Sequence, residues 1–244
     1  MKRYKRIEIM ELIKAHNGEP VLWLWGNKIR QREFTVIAGN KSIGRSHMMI
    51  ELAAIVSKKE SFPDGWATDK NKVVFFSDED NYSAMLRPKL LAAGADLKNI
   101  TIYNKLKDGF TTYNIKKNFE TLARKVEDLY NVDAIFIDPF SEYVQPEDMI
   151  FVIEELKAFA YRMSLSVICS VDFNQDNVQP LMKAATSVHL ITQHHGEKRV
   201  FIPIKNEFGN KNGFEFEIER VDLGHDIKTT RIKWLNEIIG DQNV

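Results

Sequence analysis

Several segments of this chain are apolar without interruption: Phe34-Thr-Val-Ile-Ala38, Val73-Val-Phe-Phe76, Ala134-Ile-Phe-Ile137 and residues 165–171. A strand with one face in water alternates apolar and polar residues, so an unbroken run means that both faces are covered. Between these runs lie stretches with helical spacing, such as Ile115, Phe119, Leu122, Ala123, Val126 and Leu129. Strands and helices in alternation predict an α/β fold, a mostly parallel sheet flanked by helices. Helices are expected over 5–16, 45–59, 82–93, 114–130 and 147–163. The tail differs. Residues 187–193, 198–204 and 213–220 alternate with period two between turn residues, which predicts a C-terminal antiparallel extension.

With 244 residues, no repeat and no Pro/Gly-rich linker, the chain reads as a single domain over 1–244. Its parts are an N-terminal helix and strand (1–30), a core (31–175) and the extension (176–244). Lys+Arg and Asp+Glu both number 34, so no net field draws the protein to nucleic acid or membrane. No apolar stretch approaches the roughly 20 residues that cross a bilayer, and no membrane association is expected. The lone cysteine, Cys169, sits in an apolar strand and reads as a buried thiol in a cytoplasmic protein.

Residues 39–46 read Gly-Asn-Lys-Ser-Ile-Gly-Arg-Ser. The spacing is that of a loop whose backbone N–H groups wrap a polyphosphate at a helix start, with Arg45 where lysine is usual. The strand before it and the helix after it (Met48, Met49, Leu52, Ala53, Ile55, Val56) supply the required context. Ligands of open α/β sheets bind beyond the carboxyl ends of the strands. Polar residues gather at such ends here: Glu79 and Asp80, Asp138, and Asn174-Gln175. A nucleotide with Mg²⁺ would use Ser46 and Asp138 on the metal and another carboxylate to orient water. The nucleotide-binding set is then Gly39, Asn40, Lys41, Ser42, Ile43, Gly44, Arg45, Ser46 and His47. His194-His195 lacks a third ligand at metal spacing and reads as turn chemistry. Trp23 and Trp25 share a strand face and read as core or interface anchors rather than base-stacking platforms.

Laid out in this order, the chain resembles the RecA-like AAA ATPases of the plasmid replicative helicase RepA type over nearly its whole length. The specific matches are the strand ending Ser77-Asp-Glu-Asp80 and Leu86-Arg-Pro-Lys-Leu-Leu-Ala-Ala-Gly-Ala-Asp96, close to a family stretch "RPRLxAAGAD". Ile135-Phe-Ile-Asp-Pro-Phe140 is similar to the family's Walker B strand and Lys205-Asn-Glu-Phe-Gly209 to its "KNRFG" segment. The resemblance implies a RecA-like P-loop NTPase core, ATP and Mg²⁺, and Glu79 as the catalytic carboxylate with Asp138 on magnesium. It also implies a homo-oligomeric, hexameric ring with sites between subunits, and DNA replication or recombination on a mobile element with single-stranded DNA as partner.

Three departures fall in the catalytic apparatus. Arg45 replaces the phosphate-binding lysine, Glu207 stands where an arginine is usual, and Ser170-Val-Asp-Phe-Asn-Gln175 replaces a histidine-rich sensor. A planar guanidinium is larger than an ammonium and wants a two-pronged partner. Lys41 is either a substitute ammonium or a solvent-facing side chain. Two readings follow: an ATPase acting on DNA, or a degenerate relative that binds nucleotide weakly or not at all and serves as an assembly or regulatory subunit; a sequence-specific DNA-binding protein is disfavoured, with no helix-turn-helix or zinc-finger spacing.

Overall fold

Phe75 and Phe76 are neighbours on one strand, point to opposite faces of the sheet, and are both buried. The same holds for Val36 and Ile37, and for Phe136 and Ile137. This two-sided burial is why the strands read as unbroken apolar runs. In the computed structural model, the described residues are 20–79, 81–104, 114–173 and 175–240. The helix expected over 5–16, Asp80 and Asn174 lie outside them.

A short hairpin, β1 (Trp23–Trp25) and β2 (Ile29–Arg30), precedes the main sheet. The alternating elements that follow are β3 (Phe34–Gly39), α1 (Arg45–Lys58), β4 (Val73–Ser77), α2 (Arg87–Ala92), β5 (Ile100–Asn104) and α3 (Ile115–Asp128). Next come β6 (Ala134–Asp138), α4 (Met149–Met163), β7 (Ser166–Asp172) and α5 (Gln175–Ala184). The chain ends in β8 (Ser187–Gln193), β9 (Arg199–Asn206), β10 (Gly213–Asp222) and β11 (Lys228–Ile238).

Among the described residues these strands form one sheet, ordered β11-β10-β9-β8-β3-β7-β6-β4-β5. The six strands from β8 to β5 are parallel, and β9, β10 and β11 continue antiparallel. The mostly parallel sheet with an antiparallel C-terminal part is therefore as expected, with two corrections to the tail. β8 pairs parallel with β3 and belongs to the core, so the antiparallel part begins one strand later. Residues 175–184 are a helix, which the sequence pattern did not show, and it carries Pro180 inside it.

One core cluster lies under α3, α4 and α5, with Val36, Ile135, Ile137 and Val167 from the sheet. The other lies under α1, α2 and the β10–β11 hairpin, with Ile37, Phe75, Phe136 and Ile168. Trp25 is fully buried as expected, stacked on Phe62 at 4.7 Å and Phe201 at 5.8 Å. Cys169 is buried in β7, and burial pushes its thiol well up. Among the described residues no helix is long and apolar enough to cross a membrane.

The hairpin is tied to α1 by polar pairs. His47 Nε2 lies 2.8 Å from Thr230 Oγ1, and Trp234 Nε1 donates to Glu51 Oε1 at 3.0 Å. Burial holds His47 down at about 4, so its ring is neutral at pH 7. Burial raises the Glu51 carboxyl from 4.5 to about 7, although the indole N–H opposes the shift. Between those two values the folded protein keeps a proton that the unfolded chain releases. Stability therefore falls as pH rises through that window. Glu51→Gln is expected to remove this slope and to be more stable than wild type at pH 8 by on the order of 2 kcal/mol. Urea melts of both proteins at pH 5 and pH 8 measure it; equal slopes would mean that Glu51 titrates normally.

Candidate nucleotide site

β3 is flanked by β7 on one side and β8 on the other, so the chain leaves its carboxyl end where the strand order reverses. That is the place an open α/β sheet offers a ligand. Residues 39–47 occupy it. Gly39 is buried, and a Cβ there would lie 2.7 Å from Ile43 Cγ2 and 3.0 Å from the Ile191 carbonyl. Asn40, Lys41 and Ser42 form the exposed tip, with Ser42 in a left-handed conformation (φ 65°). Lys41 faces solvent. Gly44 has φ 111°, which favours glycine, and a Cβ there would meet Ile218 Cδ1 at 2.9 Å.

Helix α1 starts at Arg45 with no side-chain cap and no acid in its first turn. Its first amide groups, those of Arg45, Ser46 and His47, sit at the positive end of the helix dipole. Ser46 is exposed at this end. Beside His47 and Thr230, a groove of about 550 Å³ opens between α2 and the hairpin, lined by Met85, Lys89, Arg220, Lys228 and Thr230. The tip of the loop is open to solvent, and the groove approaches its end through the His47–Thr230 contact without being lined by residues 39–47.

Asp138 ends β6, two strands away from β3. Its carboxylate is buried and receives a hydrogen bond from the Ser170 hydroxyl, with the Ser46 hydroxyl close enough to favour its charged form. Burial raises its pKa; those two hydroxyls, and the charges of Arg45 and Lys89, pull the other way. Among the described residues no cation reaches ion-pair distance of Asp138. A buried carboxylate next to a loop hydroxyl, with only neutral donors around it, is a hard-oxygen set that suits Mg²⁺. The residues present therefore fit the metal and an anionic ligand.

Glu79 lies two residues past Ser77, and Ser77 is in register with Asp138 on the adjacent parallel strand. The Glu79 amide donates to Ser77 Oγ at 3.1 Å, and the Asp78 amide to the Asp138 carbonyl at 3.4 Å. Strand pairing thus sets the backbone of half-buried Glu79 just past the carboxyl end of β4, beside the strand end that carries Asp138. Helical backbone begins at Tyr82, as a π-turn over Tyr82–Leu86, and the side chain of Asn81 just before it accepts from the Ala84 amide at 3.0 Å.

Arg45 does not stand free. Its Nη2 pairs with Asp172 Oδ1 at 2.5 Å, at the end of β7. Asp172, with Ser170 on the same strand, was not among the predicted site residues. The available signal was a second acid at a strand end, opposite an arginine in the loop. Glu207 turns out to be remote from the loop of its own chain. It follows β9, whose Asn206 pairs with Ser187 at the amino end of β8, and it is exposed beside Lys205 at 3.9 Å. Gln175 opens α5. His194 and His195 sit in the turn after β8 as expected, with their rings 4.3 Å apart. His194 Nδ1 meets Glu215 Oε1 at 2.7 Å. Among the described residues no group of three or more His, Cys, Asp or Glu could hold a metal by itself.

A family model described as an AAA domain matches residues 3–149, a span that holds the phosphate loop, Glu79 and Asp138. No curated protein matches the chain.

Proposed function

The chain belongs to the AAA domain family, and from that premise we propose that it is a RecA-like ATPase of the RepA type that binds ATP with Mg²⁺. The observation that carries this reading is the buried Asp138, hydrogen-bonded by Ser170 and flanked by Ser46, at the foot of a phosphate loop whose helix has no side-chain cap. The amide groups at the start of α1 bind phosphate oxygens, and Gly39 and Gly44 let the backbone close around them. Ser46 and Asp138 would hold the metal, directly or through water. Mg²⁺ would supply charge neutralisation on the phosphate oxygens. Glu79, just past the end of β4, orients a water and takes its proton. The wider role we infer is DNA replication or recombination on a plasmid, phage or integrated element, as a homo-oligomer, a hexameric ring with single-stranded DNA as partner. It rests on the likeness of residues 77–80 and 86–96 to the RepA type.

A second reading is favoured by the Arg45–Asp172 pair, which engages the cation that would otherwise serve the phosphates. On that reading the chain is a nucleotide-binding assembly or regulatory subunit with little turnover. Calorimetric titration with a non-hydrolysable ATP analogue, with and without Mg²⁺, tests the shared premise; metal-dependent binding is expected. Phosphate release with and without single-stranded DNA then separates the readings. Turnover supports the ATPase, binding without turnover supports the subunit, and no binding under either condition removes both.

A further inference from the structure

We propose that Asp172 is an internal competitor for the phosphate loop, holding the Arg45 guanidinium in an ion pair that a triphosphate must open. This rests on the nucleotide-site reading above and adds to it a residue that sets affinity. Asp172 is placed by the sheet itself. It is in register with Gly39 across the β3–β7 pair, and the Phe173 amide donates to the Gly39 carbonyl at 3.0 Å. The acid is therefore fixed against the first glycine of the loop. Arg45, the first residue of α1, is mostly buried, whereas the Asp172 side chain is half exposed. The arginine is thus mostly enclosed, while half of the acid's side chain already faces water.

The pair is also incomplete. Nη2 meets Oδ1 at 2.5 Å, while Nη1 is buried with no hydrogen-bond partner. A guanidinium is best satisfied by two parallel hydrogen bonds to one oxyanion. Transfer from Asp172 to a phosphate would give Nη1 the acceptor it lacks, so the exchange is built to run towards a bound ligand. Until it does, the pair is neutral, and the loop offers a polyphosphate less positive charge than its sequence suggests. A carboxylate left beside a bound triphosphate adds repulsion on top of that.

The consequence runs opposite to that of a structural ion pair, whose loss weakens a site. Asp172→Asn is expected to tighten ATP binding in Mg²⁺ by about tenfold, the size of effect that one charge at a partly exposed site exerts. Asp172→Ser should do the same, and Asp172→Glu, which keeps the charge, should remain within about threefold of wild type. In an Arg45→Ala background the gain from Asp172→Asn should shrink to less than half its size on a logarithmic scale, because no guanidinium is left to release. Calorimetric titrations of the full chain measure all of these, with a thermal melt of each unliganded variant to confirm folding. Unchanged or weaker ATP binding by folded Asp172→Asn and Asp172→Ser, beside a wild type that binds, overturns the competitor and leaves the nucleotide site standing. If wild type fails to bind and Asp172→Asn succeeds, both ideas are supported. If no variant binds ATP, both fall.

Discussion

Asp138→Asn is expected to raise the stability of the unliganded protein while removing most of the Mg²⁺-dependent part of its ATP affinity. Burial holds the Asp138 carboxyl above its ordinary value of 3.8, which means the fold disfavours the charged form. An acid raised in this way costs stability as pH climbs through its folded value, since the unfolded chain gives up the proton more readily. Asparagine keeps the shape, and its Oδ1 can still accept the Ser170 hydroxyl. Every kcal/mol of relief should raise Tm by roughly 2–4 °C in a chain of this size. The gain should be largest near neutral pH and vanish in acid. The same change takes the buried carboxylate from beside Ser46, so ATP affinity in Mg²⁺ should drop by about a hundredfold towards its metal-free level. Thermal melts and titrations with and without Mg²⁺ check both halves. A variant that is destabilised yet keeps its metal response would mean that Asp138 is a structural acid, set beside two serines for packing reasons alone. Stability given up at a site for chemistry performed there is the signature sought.

The parts of the fold that were legible in the sequence are those where burial is symmetrical. Val73–Phe76 and Ala134–Ile137 face helices on both sides, and composition alone discloses that. β8 misled because its covering is uneven. Leu190 and Thr192 are only half-buried while Val188, His189 and Ile191 are buried, so a parallel strand beside the antiparallel edge imitates a one-sided one. β11 was missed for a related reason. Of Lys228–Ile238 only Ile232 is buried, and the strand is held by Trp234, Thr230 and its pairing with β10 rather than by an apolar run. α5 was hidden by Pro180, which argues against a helix interior. At the site, the loop residues and Asp138 could be placed because each is adjacent in sequence to the strand that positions it. The partner of Arg45 could not, since residues 45 and 172 meet only through the register of β3 on β7. Topology can be guessed from periodicity, but register is decided by packing across the sheet.

Glu79→Gln is the sharper test of chemistry, because it should leave binding intact and remove turnover. Glutamine is nearly isosteric, and the hydrogen bond that positions residue 79 comes from its backbone amide to Ser77 Oγ, which the change does not touch. The change removes the carboxylate's ability to take a proton from water. A positioned general base contributes typically 10²–10⁴ in rate, so phosphate release by the variant should fall at least about a hundredfold, while ATP affinity stays within about threefold. Two other carboxylates at the same strand ends serve as comparisons. Asp78 is exposed, and its amide is tied to the Asp138 carbonyl, so Asp78→Asn should leave turnover within about threefold. Asp138→Asn should lower affinity and turnover together, which Glu79→Gln should not. If Asp78→Asn abolishes phosphate release and Glu79→Gln spares it, the base is one residue earlier than the strand register places it. If both variants match wild type and its release is indistinguishable from buffer, the crevice holds nucleotide without consuming it. The Arg45–Asp172 pair would then be its working state rather than a stage before catalysis.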